Sequence, residues 1–315
     1  MPKGLQHEHI SEYIVKNDQT IKKVLKENEV NTNVVASLFI GKPVHKYNVI
    51  KAILSGVFDA DRADYLLRDS YNCGVSYGNY DYIRYISSFK LEEPKGKILK
   101  LSVEAGNIQT LEAFLLARYN YNMQIPFHRT RTGIDLVLQM YIKHLKDTNR
   151  LPNLFKQDKQ NDQDITQSLE VDLKRFIFFD DFELFQQIKT DYEEDNRLAK
   201  ILLREDHLFP VIETAGTDIN DFSNFLIRLE NNGFRENKDY IIYKNTGIKI
   251  HNLVSGSEEK EKEDIIRVKN KQGADLGNIL ECSPILQSLA RCTMHLFRVY
   301  VFSDKKEKAW RLKIR

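Results

Sequence analysis

The amino-acid sequence predicts a mainly α-helical protein with a small α+β lobe at its C-terminal end. Three observations point there. Apolar residues recur at helical spacing through most of the chain up to about residue 203. Beyond about residue 210 the pattern changes to short strand-like runs. No glycine-rich loop follows a strand, and no βαβ alternation occurs, which excludes a doubly wound nucleotide-binding fold.

Taken in order, Ile10, Ile14, Ile21, Val24 and Leu25 keep helical spacing and lead into a polar, turn-like stretch at 28–33. Ser11 followed by Glu12 is the expected helix start. Further helices are expected over 59–69, 110–118 and 133–145, followed by a polar connection over 146–164. Helical patterning resumes from 165 to about 203, around the acidic pair Asp180 and Asp181. Residues 239–244 and 248–251 flank Asn245, Thr246 and Gly247, which predicts a hairpin. The charged run 255–264 is expected in solvent, and alternation over 297–302 predicts a strand. The expected divisions are a helical core over 1–150, a helical extension over 151–209, and the α+β lobe over 210–315.

The chain has 315 residues, 42% hydrophobic and 29% charged, the balance of a globular protein. No apolar run is long enough to span a bilayer, and the first residues carry no apolar signal-peptide core. The three cysteines, Cys73, Cys282 and Cys292, form no close pair and are expected as free thiols in a cytoplasmic protein. A formal net charge of +2 gives no reason to favour nucleic acid as a partner.

The most informative stretch is 58–69. On a helix, Asp61, Tyr65 and Asp69 fall on one face with Arg62 at its edge, while Ala63, Leu66 and Leu67 face a core. Asp64 and Arg68 stand at i,i+4 and are expected to pair. A carboxylate, a guanidinium, a phenol and a second carboxylate on one face suit a nucleotide: carboxylate for a divalent cation, arginine for phosphate oxygens. The bland reading is a solvated polar face. His7 and Glu8, at the head of the first helix, could supply an acid–base pair or be a frayed surface.

The run Asp59-x-Asp61-Arg62-x-Asp64-Tyr65-Leu66-Leu67-Arg68-Asp69-Ser70, followed by Gly74-Val75, resembles the signature of HD-domain dNTP triphosphohydrolases. His7-Glu8-x-x-Ser11 resembles that family's His-Glu motif, and 118–128 resembles its later helix. The similarity covers residues 7 to about 140 and continues more loosely to 283–285 and 298–301. The resemblance implies a partial HD-type helical core. It implies Asp61 as a metal ligand, His7 and Glu8 as catalytic residues, and Arg62, Tyr65, Asp69 and Asn122 as substrate-binding residues, with Asp69 near the sugar 3′-hydroxyl. It also implies an oligomer, and release of intact triphosphate from a deoxynucleotide.

Two departures accompany the resemblance. The family's early histidine and His-Asp dyad precede the His-Glu motif, whereas six residues precede His7 here and His-Asp occurs nowhere. A bound Mn, Mg, Fe or Zn ion is therefore expected only if an HD-bearing segment or partner chain supplies those ligands. Fragment, split enzyme and degenerate paralogue all accommodate this. Pro126 stands where the family often has an aromatic residue. His45, His128, His144, His207, His251 and His295 show no metal-ligand spacing. The tyrosines over 77–82 read as a loop and core edge, and 305–315 as an exposed basic tail.

Overall fold

The computed structural model describes residues 5–41, 47–92, 99–157, 169–215, 220–249, 266–291 and 293–314. His45, His251, Cys292, Arg315 and the whole charged run 255–264 lie outside them, as does 158–164 of the polar connection. The chain is mainly helical with small sheets. Its elements run α1 His7–Asn17, α2 Gln19–Glu27, α3 Thr32–Phe39, α4 Asn48–Ser55, α5 Ala60–Asn72, α6 Tyr82–Ser87, β1 Phe89–Glu92 and β2 Lys100–Glu104. There follow α7 Ile108–Gln124, α8 Arg129–Asp147, β3 Phe155–Gln157, β4 Leu169–Val171, α9 Leu173–Phe178, α10 Asp181–Glu193 and α11 Arg197–Leu202. The remainder is β5 Leu208–Ala215, α12 Asn220–Asn231, β6 Tyr240–Lys249, β7 Arg267–Lys269, β8 Asp275–Asn278, α13 Ile279–Cys282, α14 Pro284–Arg291, β9 Thr293–Phe302 and α15 Lys306–Ile314. No helix among the described residues is long and apolar enough to cross a membrane.

Two compact units divide the chain, the first comprising 1–51, 93–100 and 142–196. Its helices are stopped and started by side-chain caps: Asp18 accepts from Ile21 N at the head of α2, and Asn31 from Asn33 N and Val34 N at the head of α3. Helix α1 starts at His7, so His7 and Glu8 stand at its head as expected, and Ser11-Glu12 does not mark the start. Gln6 is its cap residue, and Ser11 lies inside the helix with its hydroxyl donating to the His7 carbonyl at 3.1 Å. Leu5, Ile10 and Val171 form a small core with Tyr13, Ile14, Leu173 and Phe176 around it. Arg150 clamps the buried Asp191 through two hydrogen bonds of 2.5 and 2.7 Å, the bidentate geometry that makes such a pair hold its place.

The second unit comprises 52–92, 101–141 and 197–315. Its helical core gathers Leu66 of α5, Tyr85 of α6, and Leu111, Phe114, Leu115 and Tyr121 of α7. Ile266, Val268, Ile279 and Leu286, from far along the chain, complete it. A four-stranded sheet, in the order β1-β2-β7-β8, brings those distant segments in. Its β2 and β7 run parallel, with Ser102 opposite Arg267 and Val103 opposite Val268. The strands of this sheet before residue 150 are absent from the helical periodicity read above, because three to five residues are too few to carry a period.

The second core of this unit lies between a three-stranded antiparallel sheet, β5-β9-β6, and helices α12 and α15. The hairpin expected at Asn245-Thr246-Gly247 does not form. Strand β6 runs straight through those residues against β9, and the pairing slips by one between Asn245 opposite Leu296 and Ile248 opposite Met294. The long partner strand offers continuous hydrogen bonding, so the extra residue is absorbed as a bulge and no reversal is needed. The strand expected over 297–302 is the second half of β9, the central strand.

Candidate nucleotide site

Helix α5 is positioned at both ends by its own sequence. Asp59 is the N-cap: its Oδ1 accepts from Arg62 N at 2.8 Å. At the far end Gly74 takes a φ of +66°, and Val75 N and Gly74 N close back onto Ser70 and Tyr71 carbonyls. The loop then folds along the helix. Ser70 Oγ accepts from Gly78 N at 2.9 Å, and a Cβ on Gly78 would stand 2.3 Å from the Leu66 carbonyl oxygen. Only glycine permits that approach. Tyr80 Oη donates to the Ala63 carbonyl at 2.7 Å, and burial pushes its phenol up to about 12. Tyr80 and Tyr85 pack edge-on and stacked, respectively, against Phe114, so the tyrosine cluster is core edge and loop, as its composition suggested.

The packing leaves one polar face on α5. Arg62 is drawn to the Asp59 carboxylate and donates to the Gly56 carbonyl at 2.6 Å. Asp69 carries two donors: Tyr121 Oη at 2.7 Å on Oδ2 and Arg68 Nη1 at 2.9 Å on Oδ1. The expected Asp64–Arg68 pair is present at 2.9 Å. The Tyr65 and Tyr121 rings lie 5.4 Å apart, and Tyr65 shares a side-chain hydrogen bond with Arg118. Arg118 and Tyr121, both on α7 and each 6% exposed, thus join the α5 face from the side.

The electrostatics are unusual at the Arg62 end. Two guanidiniums, Arg62 and Arg118, meet the single carboxylate of Asp59. Burial raises Asp59 above the ordinary carboxylate range, outweighing the pull of both arginines. Burial, then the Arg62 charge, lowers Arg118 to about 10. Burial is the larger cause of both shifts, and the two guanidiniums stand close enough for the Arg62 charge to act on Arg118. An anion entering beside them would relieve two like charges at once.

Asp61 is exposed in the first turn of α5. Among the described residues no group of three or more His, Cys, Asp or Glu side chains is placed to hold a metal ion. One carboxylate does not make a resident metal site, so these residues do not fit a bound cation by themselves. Asn122 donates its side-chain amide to the Arg118 carbonyl at 2.8 Å, within its own helix. His7 and Glu8 belong to the other unit; His7 is 84% exposed and meets Glu8 at 3.3 Å. On the side of α5 away from Asp61, Ala60, Ala63 and Leu67 wall an apolar pocket of about 470 Å³ with Tyr85 and Phe89.

Sequence reasoning thus missed Arg118 and Tyr121 as members of this face. Both lay inside the segment whose resemblance was noted. The available signal was a charged residue in line with Leu111, Phe114 and Leu115 on the buried side of α7, where a charge needs a reason.

No family model matches the chain. An uncharacterised protein of Methanocaldococcus jannaschii is 25% identical over 279 residues, covering 84% of this chain and 53% of that one. The chain therefore spans about half the length of that curated relative. Among solved structures, a hypothetical protein of Aquifex aeolicus superposes with a TM-score of 0.65 at 23% identity, over 96% of this chain and 70% of that one. A phosphohydrolase of Bacteroides thetaiotaomicron gives 0.63 at 19%, over 95% and 73%. These likenesses show a shared fold.

Proposed function

We propose that the α5–α7 face is the nucleotide-facing part of a hydrolase site of the dNTP triphosphohydrolase type. The observation that carries this reading is the pair of guanidiniums, Arg62 and Arg118, held against one reluctant carboxylate at one end of a face whose other end is a phenol and a carboxylate. Arginines at that end would take phosphate oxygens, each charge-assisted contact contributing about 1.5–3 kcal/mol. Tyr65 and Asp69 would take the deoxyribose. The name of the Bacteroides neighbour, a phosphohydrolase, is in keeping with the reaction class.

In this reading the chain's own residues bind and orient the nucleotide. Release of triphosphate would need a cation, and its ligands would come from an HD-bearing segment or partner chain, with Asp61 joining them. A second copy of this chain is the other partner we propose. The rival reading, a catalytically silent nucleotide-binding subunit, is favoured by the lack of a metal-holding group among the described residues.

The test is in two steps. Calorimetry with each dNTP should show binding that weakens at least tenfold in Arg62→Ala. The His…His-Asp segment, supplied as a fusion or a partner chain, should then allow triphosphate release with Mn, Mg, Fe or Zn, and Asp61→Asn should abolish it. Binding without release under every metal would leave the silent subunit standing. Absence of binding would sink the nucleotide reading altogether.

A further inference from the structure

We propose that Tyr121 is the positioning residue of the sugar-facing pair, and that it sets a preference for nucleotides carrying a 3′-hydroxyl. This rests on the nucleotide reading of the α5–α7 face and names a determinant that neither the motif nor the resemblance assigns.

The ring and the hydroxyl of Tyr121 act on different partners. The ring packs against Tyr65 at 5.4 Å, tilted by 39°, and so fixes the phenol next to Arg118. The hydroxyl donates to Asp69 Oδ2 at 2.7 Å across 52 positions of sequence. A phenol that is 6% exposed needs a partner for its O–H, and Asp69 is the one it has. Burial and the Asp69 charge both push the Tyr121 phenol up, so it remains a donor throughout the neutral range.

The consequence for Asp69 follows from counting lone pairs. Oδ1 receives Arg68 and Oδ2 receives Tyr121, which leaves each oxygen one further site, and both sites accept. The carboxylate side chain is 31% exposed, so a ligand can reach it. A group that donates completes the set; a carbon-bound hydrogen in its place leaves an acceptor facing nothing. With the carboxylate plane held by two donors, that acceptor cannot turn to find another partner. Removing the Tyr121 hydroxyl frees the plane to rotate, and the preference for a donor at the 3′ position should fall.

The experiment compares a dNTP with its 3′-deoxy analogue on the full chain, by calorimetry, in wild type and Tyr121→Phe. Wild type should bind the dNTP about tenfold more tightly. Tyr121→Phe should lose about fivefold on the dNTP and less than twofold on the analogue, the span expected for one hydrogen bond. Asp69→Asn tests the acceptor itself, and adding Tyr121→Phe to it should cost nothing further on either ligand; a further selective loss overturns the positioning role. An equal loss on both ligands, or none on either, overturns the positioning role while leaving the site intact. If wild type binds neither ligand, the nucleotide reading falls and this inference falls with it.

Discussion

Asp59 offers the sharpest test of the electrostatics around α5, because it does two separable things. Its Oδ1 caps the helix, and its charge faces Arg62 and Arg118. Asparagine keeps the cap and removes the charge; alanine removes both. Loss of an N-cap oxygen costs about 0.5–2 kcal/mol. Alanine also strips a partly buried guanidinium, Arg62, of its charged acceptor and leaves it the Gly56 carbonyl, which adds about 1.5–2 kcal/mol, the lower part of the range for a bond to a charged group. We therefore expect Asp59→Ala to cost about 2–4 kcal/mol. At roughly 2–4 °C per kcal/mol for a domain of this size, Tm should fall by about 4–16 °C.

Asparagine should behave otherwise. The Asp59 carboxyl is raised in the folded protein by burial, so its ionised form is disfavoured on folding. The sign follows from linkage: the folded state holds this proton more tightly than the unfolded chain. The group's contribution to stability is thus greatest below the unfolded carboxylate range and is lost as pH rises through the raised folded value. Asparagine keeps the cap acceptor but turns its amide NH2 toward Arg62 Nη1, so it loses the ion pair as alanine does and should be the less destabilised by the share of the cap, about 0.5–2 kcal/mol. The same substitution removes the Asp59 charge beside Arg62 and Arg118, so triphosphate should bind more tightly. Thermal melts from pH 3.5 to 7.5 with all three proteins, and calorimetry with inorganic triphosphate, are the assays. An asparagine variant as unstable as the alanine variant at pH 7 would refute a separate capping role for Asp59 Oδ1.

Two further outcomes are expected. Arg118→Met keeps volume and removes a buried charge held down to about 10, so Tm should change by no more than about 2 °C while dNTP affinity falls at least tenfold; a collapse in Tm with affinity retained would contradict its placement on the ligand side. The purified chain should carry well under one equivalent of Mn, Fe or Zn by elemental analysis, and a tightly held stoichiometric ion would contradict the donor count around Asp61.

The α5 face was legible in the sequence because a helix has one period and thirteen residues of it were present. Arg62, Tyr65 and Asp69 needed nothing beyond 100° per residue, and Asp64 met Arg68 as i,i+4 spacing requires. What α7 would bring was not legible in the same way. Whether Tyr121 reaches Asp69 depends on how two helices pack, and Phe114 and Leu115 set that contact without any local signal. The bulge in β6 was misread as a turn for a related reason: Asn245-Thr246-Gly247 permits either, and strand β9, about fifty residues onward, decides. Short strands β1 and β2 were missed because β2's parallel partner β7 lies in the last third of the chain, and β1 pairs with β2 alone.

That parallel pairing of β2 with β7 has a consequence for the order in which the protein can be made. Ser102 meets Arg267 only after about half the chain has been synthesised between them. Until Ile266, Val268, Ile279 and Leu286 emerge from the ribosome, the apolar sides of α5 and α7 have no lid, and Leu66, Leu111 and Phe114 face water. The residues of the first unit over 142–196 are complete by then, so a finished piece would wait beside an unfinished one. A nascent chain stopped short of residue 266 would thus carry every motif of the α5 face without the late residues that complete the core beneath it.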